Sequence, residues 1–486
     1  MLVLSAMLPY ADGSAGRRLE RMLLGLVRRL VGSKAPVAQP ARSASRAHQK
    51  LAADCHELMS ERGDVSGTRI ATRILAAYRG LDAESREQFF ELLIEDFSPD
   101  PQEVGRAGDA YRSEPSAETL ARLQQMVEPP RQELFRRLNI APGGTRALVD
   151  MRADLLAGEA DPDEKRRCGH AQIAADLAHL LTSWFNRGFL TLERIDWRTS
   201  ASVLEKLIQY EAVHQIHGWP DLRRRLAPDR RCYAFFHPAL PEEPIIFVEA
   251  ALTRGLSDNV QALINPDAPE GDANAADTAV FFSITNCQKG LRGVPFGSFL
   301  IKQVVEDLGR ELPKLRRFAT LSPIPGFRAW LEQNASALNV ERLAAQLRQP
   351  DWYKDARITE EVKERVIWLC SRYLLREKSH KEPLDTVARF HLRNGARLER
   401  INWMGDTSAT GLERSAGLTV NYVYRLADLE KNHELYLRES KIAASAEIEK
   451  LAGSNGLQLN PPAPGLAKAP VTADRGKPLP VVRRPA

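Results

Sequence analysis

One stretch restricts the fold more than any other in this 486-residue chain: Thr278 to Leu308, TAVFFSITNCQKGLRGVPFGSFLIKQVVEDL. Ala279 to Ile284 is a short apolar run of the length and β-rich composition of a buried strand. Phe299, Leu300, Val304, Val305 and Leu308 recur at helical spacing with charges between them, the pattern of an amphipathic helix. Gly290, Gly293 and Gly297 lie between, with Lys289 and Arg292, and Ser298 stands where an N-cap belongs. A strand follows at Arg317–Leu321, so the stretch begins a βαβ unit. Converging N–H groups at a glycine-bearing loop and a helix start make an anion site. An ordinary glycine-bearing loop fits these residues as well, and both readings stay open on them.

The glycines exclude two common phosphate loops. Gly297 is followed by Ser298 and Phe299, which breaks GxxxxGK[ST], and there is no GxGxxG with an acidic residue about 20 positions on. Arg292-Gly-Val-Pro-Phe-Gly297 resembles the (Q/R)xxGxG/A pyrophosphate loop of GNAT-type acetyltransferases, which hold coenzyme A. Pro295 stands where the middle glycine is usual.

The length suits two or three domains. With 43% hydrophobic and 27% charged residues the composition is that of an ordinary globular protein. No apolar run reaches the roughly 18 residues of a membrane span, and a net charge of +5 is too small for this length to indicate nucleic acid. Cys55, Cys168, Cys232, Cys287 and Cys370 are scattered without a CxxC, which implies reduced thiols and a cytoplasmic protein. Residues 1–47 are basic and read as a poorly ordered segment with a short helix. Their composition also fits a mitochondrial transit peptide. Residues 460–486, rich in Pro and Ala, read as a disordered tail with no SKL-type peroxisomal ending.

From 48 to 188 the pattern is helical, with Ile70, Ile74, Leu75 and Tyr78, then Phe89, Phe90, Leu93 and Phe97, on apolar faces. Breaks at Ser98-Pro-Asp-Pro101, Glu128-Pro-Pro130, Pro142-Gly-Gly144 and Asp161-Pro-Asp163 suit antiparallel helices in a bundle. His170 and His179 have no partners at metal-ligand spacing. From 189 to 459 the character changes. Leu190–Ile195, Cys232–Phe236, Pro244–Leu252, Arg317–Leu321 and Arg397–Trp403 read as strands, and Val340–Arg376 and Thr386–His391 as helical. The fold class is α+β: an all-α N-terminal bundle followed by a mixed-sheet domain.

Three residues in the second domain have chemistry to offer. Ser322 is held in a rigid turn by Pro323 and Pro325, or it caps the helix that follows. His391 lies at a helix end before Asn394-Gly395. His237, beside Pro238 and Pro241, fits an ordinary turn histidine. A Ser–His–acid acyl-transfer triad is disfavoured, because no GxSxG elbow is present and Pro323 has no N–H for an oxyanion hole.

Together these segments are specific. HPALPEEP from His237, FFSIT from Phe281, GSFLIK from Gly297, LSPIPGF from Leu321, ARFHLRNGA from Ala388, RINWM from Arg400 and GLTVNYVY from Gly417 resemble the malonyl-CoA decarboxylase family. The resemblance runs in order from about Thr145 to Lys441. It implies a helical domain for homo-oligomerisation, as dimer or tetramer, and a GNAT-fold catalytic domain. It also implies conversion of malonyl-CoA to acetyl-CoA and carbon dioxide without metal or organic cofactor, while the charge and hydropathy above lead to the expectation of no nucleic-acid or membrane partner. Residue by residue it implies Ser322 and His391 as the active-site pair. The CoA-binding loop falls on Arg292, Gly293, Val294, Pro295, Phe296, Gly297 and Ser298, and pocket positions fall on Ser283 and Tyr424.

The chemistry suits that pair. Loss of carbon dioxide leaves a thioester enolate, which needs hydrogen-bond donors at its oxygen and then a proton at carbon. A histidine titrating near neutral pH is the expected donor, with Ser322 assisting. A GNAT-type acyltransferase and a CoA-binding scaffold without turnover are the alternatives. Both explain fewer of the motifs.

Overall fold

The computed structural model describes residues 40–60, 63–158, 161–294 and 300–454. The breakers of the N-terminal half are its helix starts. Asp82 caps one helix by accepting the Ser85 N–H, Asp100 caps the next with Pro101 in the first turn, and Asp163 caps a third through Lys165 and Arg166. The helices are α1 (Pro40–Ser60), α2 (Asp64–Arg79), α3 (Ala83–Glu95), α4 (Pro101–Ser113), α5 (Ala117–Val127), α6 (Pro130–Asn139), α7 (Gly144–Ala157) and α8 (Glu164–Trp184). α1 begins inside the segment read as poorly ordered; residues 1–39 and the 460–486 tail lie outside the described residues. Ile70, Ile74, Leu75, Phe89, Phe90, Leu177 and Leu181 are buried, as their spacing requires of core-facing stripes.

The chain divides into two compact units. One comprises residues 1–191, 235–246 and 286–297; the other comprises 192–234, 247–285 and 298–486.

Among the described residues one eight-stranded mixed sheet carries the second half. Its strands are β1 (Thr191–Ile195), β2 (Arg230–Phe236), β3 (Ile246–Thr253), β4 (Thr278–Asn286), β5 (Arg317–Thr320), β6 (Ser322–Pro323), β9 (Arg397–Asn402) and β10 (Thr419–Tyr424). A separate pair, β7 (Lys378–Ser379) and β8 (Glu382–Pro383), forms a small hairpin. The order is β1-β2-β3-β4-β5-β10, with β6 continuing along the β5 side of β10 and β9 on the other side. β4 and β5 are parallel and flank the helix Leu300–Glu311 in sequence, and β10 is antiparallel to its neighbours. The architecture is thus an all-helical N-terminal region followed by an α+β domain.

Two local features place the functional side chains. β4 pairs with β5 from Thr278↔Arg317 to Phe281↔Thr320, yet β4 continues to Asn286, so the two strands part beyond Phe281. The sheet faces also differ in character. Val280, Phe282 and Leu321 pack with Ala251, Val260 and Leu263 in an apolar cluster. Alternation therefore turns Phe281, Ser283, Thr320 and Ser322 to the opposite face. The sequence reading leaves β10 unassigned, because Asn421 interrupts its apolar run.

Candidate active site

Ser322 owes its orientation to an interruption in the β5–β6 edge. Phe318, Ala319, Ser322 and Pro323 all pair with β10 in one register. Between them the ladder is replaced by side chains: Asn421 Nδ2 donates to the Thr320 carbonyl (2.7 Å) and the Tyr422 N–H donates to Thr320 Oγ1 (3.1 Å). The Ser322 hydroxyl donates to Thr320 Oγ1 (2.8 Å). The capping alternative fails, because the helix Phe327–Gln333 starts after Gly326 with no side-chain cap.

His391 stands in the last turn of the helix Thr386–Arg393, which is capped by Asp385 through the Ala388 N–H (2.8 Å). Burial pushes the Asp385 carboxyl up to about 6, against the lowering effect of its backbone hydrogen bonds. His391 Nε2 lies 2.9 Å from Ser322 Oγ, and Nδ1 lies 2.7 Å from the Tyr424 hydroxyl. The ring stacks on Tyr422 at 4.6 Å between centroids. Because the serine proton is directed to Thr320, the hydrogen of the imidazole belongs on Nε2, and Tyr424 donates to Nδ1. The result is one chain of donation from Tyr424 to His391 to Ser322 to Thr320.

All four side chains are buried, and water is thereby removed from the only group among them that could charge at physiological pH. Desolvation pushes His391 down to about 3. This corrects the expectation of a histidine titrating near neutrality: in the free protein His391 is neutral. Tyr424 is raised well above the usual tyrosine range by the same burial.

Ser283 lies on the same sheet face but has a different partner. Its hydroxyl donates to Glu211 Oε2 (2.7 Å), which also receives Thr285 at 3.3 Å, while Oε1 accepts the N–H groups of Val213 and His214, both at 2.7 Å. With its proton committed to Glu211, Ser283 offers only lone pairs to a ligand.

In the loop after β4, Arg292 and Gly293 are exposed and Val294 is buried. Pro295, Phe296, Gly297 and Ser298 lie outside the described residues. His237, by contrast, is structural: Nε2 donates to the Trp184 carbonyl (3.0 Å) and Nδ1 accepts the Ala239 N–H (3.1 Å). His170 pairs with Glu87 at 2.8 Å. Among the described residues no group of three or more His, Cys, Asp or Glu is placed to hold a metal ion, and no helix is long and apolar enough to cross a membrane.

Sequence reasoning missed Thr320, Tyr422, Asp385 and Glu211. Period-two spacing carries a signal for the first two, at two positions before Ser322 and before Tyr424. Asp385, one residue before a helix start, has the position of an N-cap.

Fold and site define an α+β protein whose mixed sheet bears a buried serine–histidine–tyrosine chain, preceded by a helical region. Comparison with known proteins gives the family. The malonyl-CoA decarboxylase C-terminal domain matches residues 188–461 and the malonyl-CoA decarboxylase N-terminal domain matches residues 97–185. The mitochondrial malonyl-CoA decarboxylase of Anser anser anser is 35% identical over 429 residues, covering 80% of this chain and 84% of the relative. The crystal structure of malonyl-CoA decarboxylase from Rhodopseudomonas palustris superposes with a TM-score of 0.79 at 47% identity, covering 83% of this chain and 99% of that one. The Agrobacterium vitis structure gives 0.77 at 45% identity, with 83% and 100% covered. The chain belongs to the malonyl-CoA decarboxylase family.

Proposed function

We propose that this protein is a carboxy-lyase that converts malonyl-CoA to acetyl-CoA and carbon dioxide, with His391 supplying the proton and Ser322 assisting. The observation that carries the reading is the buried Ser322–His391–Tyr424 chain on a sheet face where β4 and β5 part. We place the malonyl thioester against that face.

The depressed basicity of His391 has a role in this scheme. In the empty site the imidazole is neutral. A substrate carboxylate brought beside it in a dry environment favours the imidazolium, so binding draws in a proton. Cleavage of the bond between the carboxylate and the methylene carbon releases carbon dioxide and leaves its electron pair in the thioester enolate. The imidazolium then gives its proton to that carbon, forming the acetyl group, and returns to the neutral form. One proton is consumed per turnover, as the overall reaction requires. Ser322 orients the imidazole through Nε2, and Tyr424 fixes the ring from the other side. No serine acyl intermediate is needed, because the thioester sulfur is not displaced.

The remaining assignments rest on the same reading. Arg292 through Ser298 would receive the CoA phosphates, and Ser283 would line the acyl pocket. The helical region would assemble a homodimer or tetramer. The five cysteines, without disulfides, fit a reducing, cytoplasmic setting.

Incubation with malonyl-CoA, following the thioester by mass, tests the proposal. Stoichiometric acetyl-CoA and carbon dioxide are expected. Unchanged malonyl-CoA, or free thiol appearing only when an amine is added, would refute it.

A further inference from the structure

The turn that follows β4 is anchored by a buried arginine on α7. We propose that Arg152 is the positioning residue of the turn Leu291–Val294, holding it in the form that directs the Gly293 N–H outward to the phosphates of a CoA substrate. The inference rests on the malonyl-CoA reading for the identity of that ligand.

Arg152 lies within the compact unit that holds the N-terminal helices, and its Nη1 and Nε donate to main-chain carbonyls. Nη1 donates to the carbonyls of Gly290 (2.6 Å) and Arg292 (2.9 Å), and Nε donates to that of Ala174 (3.0 Å) on α8. Gly290 lies flush against α7, where a Cβ would overlap the carbonyl oxygen of Val149, so glycine permits the close approach. The base of the turn is therefore held by packing and by charged hydrogen bonds together.

The geometry of the turn explains what the anchor selects. Arg292 has φ −56° and ψ 126°, Gly293 has φ +79°, and the Val294 N–H donates to the Leu291 carbonyl (3.0 Å), which together define a type II turn. Types I and II differ by a flip of the central peptide, here the Arg292–Gly293 unit. In a trans peptide the C=O and N–H point in opposite directions. A guanidinium bonded to the Arg292 carbonyl therefore fixes the flip and turns the Gly293 N–H away from α7. Gly293 is exposed, and its N–H makes no hydrogen bond among the described residues. An outward main-chain donor beside Arg292 suits a phosphate oxygen.

The test compares two thioesters, malonyl-CoA and malonyl-pantetheine, which lacks every phosphate. The variants are Arg152→Met, Arg152→Lys and Gly293→Ala. The last has open space for its Cβ but disfavours the positive φ, so it releases the flip without burying anything. Arg152→Met and Gly293→Ala should raise KM for malonyl-CoA about tenfold, the usual worth of a charged hydrogen bond, and leave kcat within about twofold. kcat/KM for malonyl-pantetheine should not change, and Arg152→Lys should recover part of the loss. If Arg152→Met does not fold, the other two variants carry the test. Equal losses on both thioesters, or an unchanged malonyl-CoA KM in Gly293→Ala, would overturn the proposal. Calorimetric titration with CoA itself reads binding without turnover. Should the wild type bind CoA and release no carbon dioxide, the decarboxylase reading falls, and the CoA affinities of the variants alone decide the role of Arg152.

Discussion

Tyr424 donates its phenolic proton to His391 Nδ1 across 2.7 Å, and together with the Ser322 hydroxyl directed to Thr320 this leaves the imidazole hydrogen on Nε2, facing Ser322. The hydrogen bond is buried on both sides, so the tautomer is fixed before any substrate arrives. Tyr424→Phe removes the donor and leaves Nδ1 unsatisfied. Turnover should fall about tenfold or more, consistent with a lost buried hydrogen bond. Nitrogen chemical shifts of the imidazole should show the Nε2–H tautomer in the wild type and a mixture in the variant. A single unchanged tautomer in Tyr424→Phe would show that Ser322 and Thr320 suffice.

His391→Asn keeps size and some hydrogen bonding but cannot carry the proton. Turnover should drop by roughly 10²–10⁴ with little change in the affinity for a non-reactive malonyl-CoA analogue. Ser322→Ala should fall in the same direction. Steady-state rates of the double variant should show a loss smaller than the product of the two, because the pair acts as one unit. Near wild-type turnover in His391→Asn would move the proton donor elsewhere.

Substrate binding should take up a proton. His391 is neutral in the free protein, being held down to about 3 by burial. Titrating the non-reactive analogue near pH 7 in buffers of different ionisation enthalpy should give close to one proton absorbed per site. The uptake should vanish in His391→Asn. If both proteins bind without uptake, the carboxylate does not charge this imidazole.

Stability should carry the same signature with a defined sign. A histidine lowered from 6.5 to about 3 on folding contributes stability that is fully present above pH 6.5 and lost as pH falls toward 3. By pH 5 the loss amounts to about 2 kcal/mol. Asp385, raised from 3.8 to about 6, acts in the opposite direction, its ionisation opposing the fold as pH rises between those values. Denaturant midpoints at pH 7 and pH 5 for wild type and His391→Asn separate the two, since Asp385 is common to both. The wild type should lose more stability over that interval.

Much of this arrangement was legible in the residues, and the exceptions have physical causes. Apolar runs and helix breakers located the elements because strand and helix periodicities are local properties. Tyr422 was recoverable from alternation, since Tyr422 and Tyr424 share a face of β10 and both reach His391. Glu211 was not, because its partner Ser283 lies 72 residues away and nothing local marks the pairing. The basicity of His391 was misjudged for a related reason. The motif shows which residue type is present, whereas its charge state depends on how completely the sheet and helix exclude water. Arg152 lies near the start of the span over which the resemblance runs, from about Thr145. Its hydrogen bonds to carbonyls 138 and 140 residues away leave no trace in spacing.

The Ser322–His391 contact spans 69 residues of chain, His391–Tyr424 a further 33, and the Asn421–Thr320 bond that shapes the serine turn spans 101. Contacts at such separations close large loops, and the entropy of closure must be overcome before the contacts form. Refolding from denaturant should therefore recover helical signal early, through local contacts, while catalytic competence waits for the last strand to dock. Activity in this protein is consequently a measure of completed topology, and a chain that is compact but has misplaced β10 would be helical and inert.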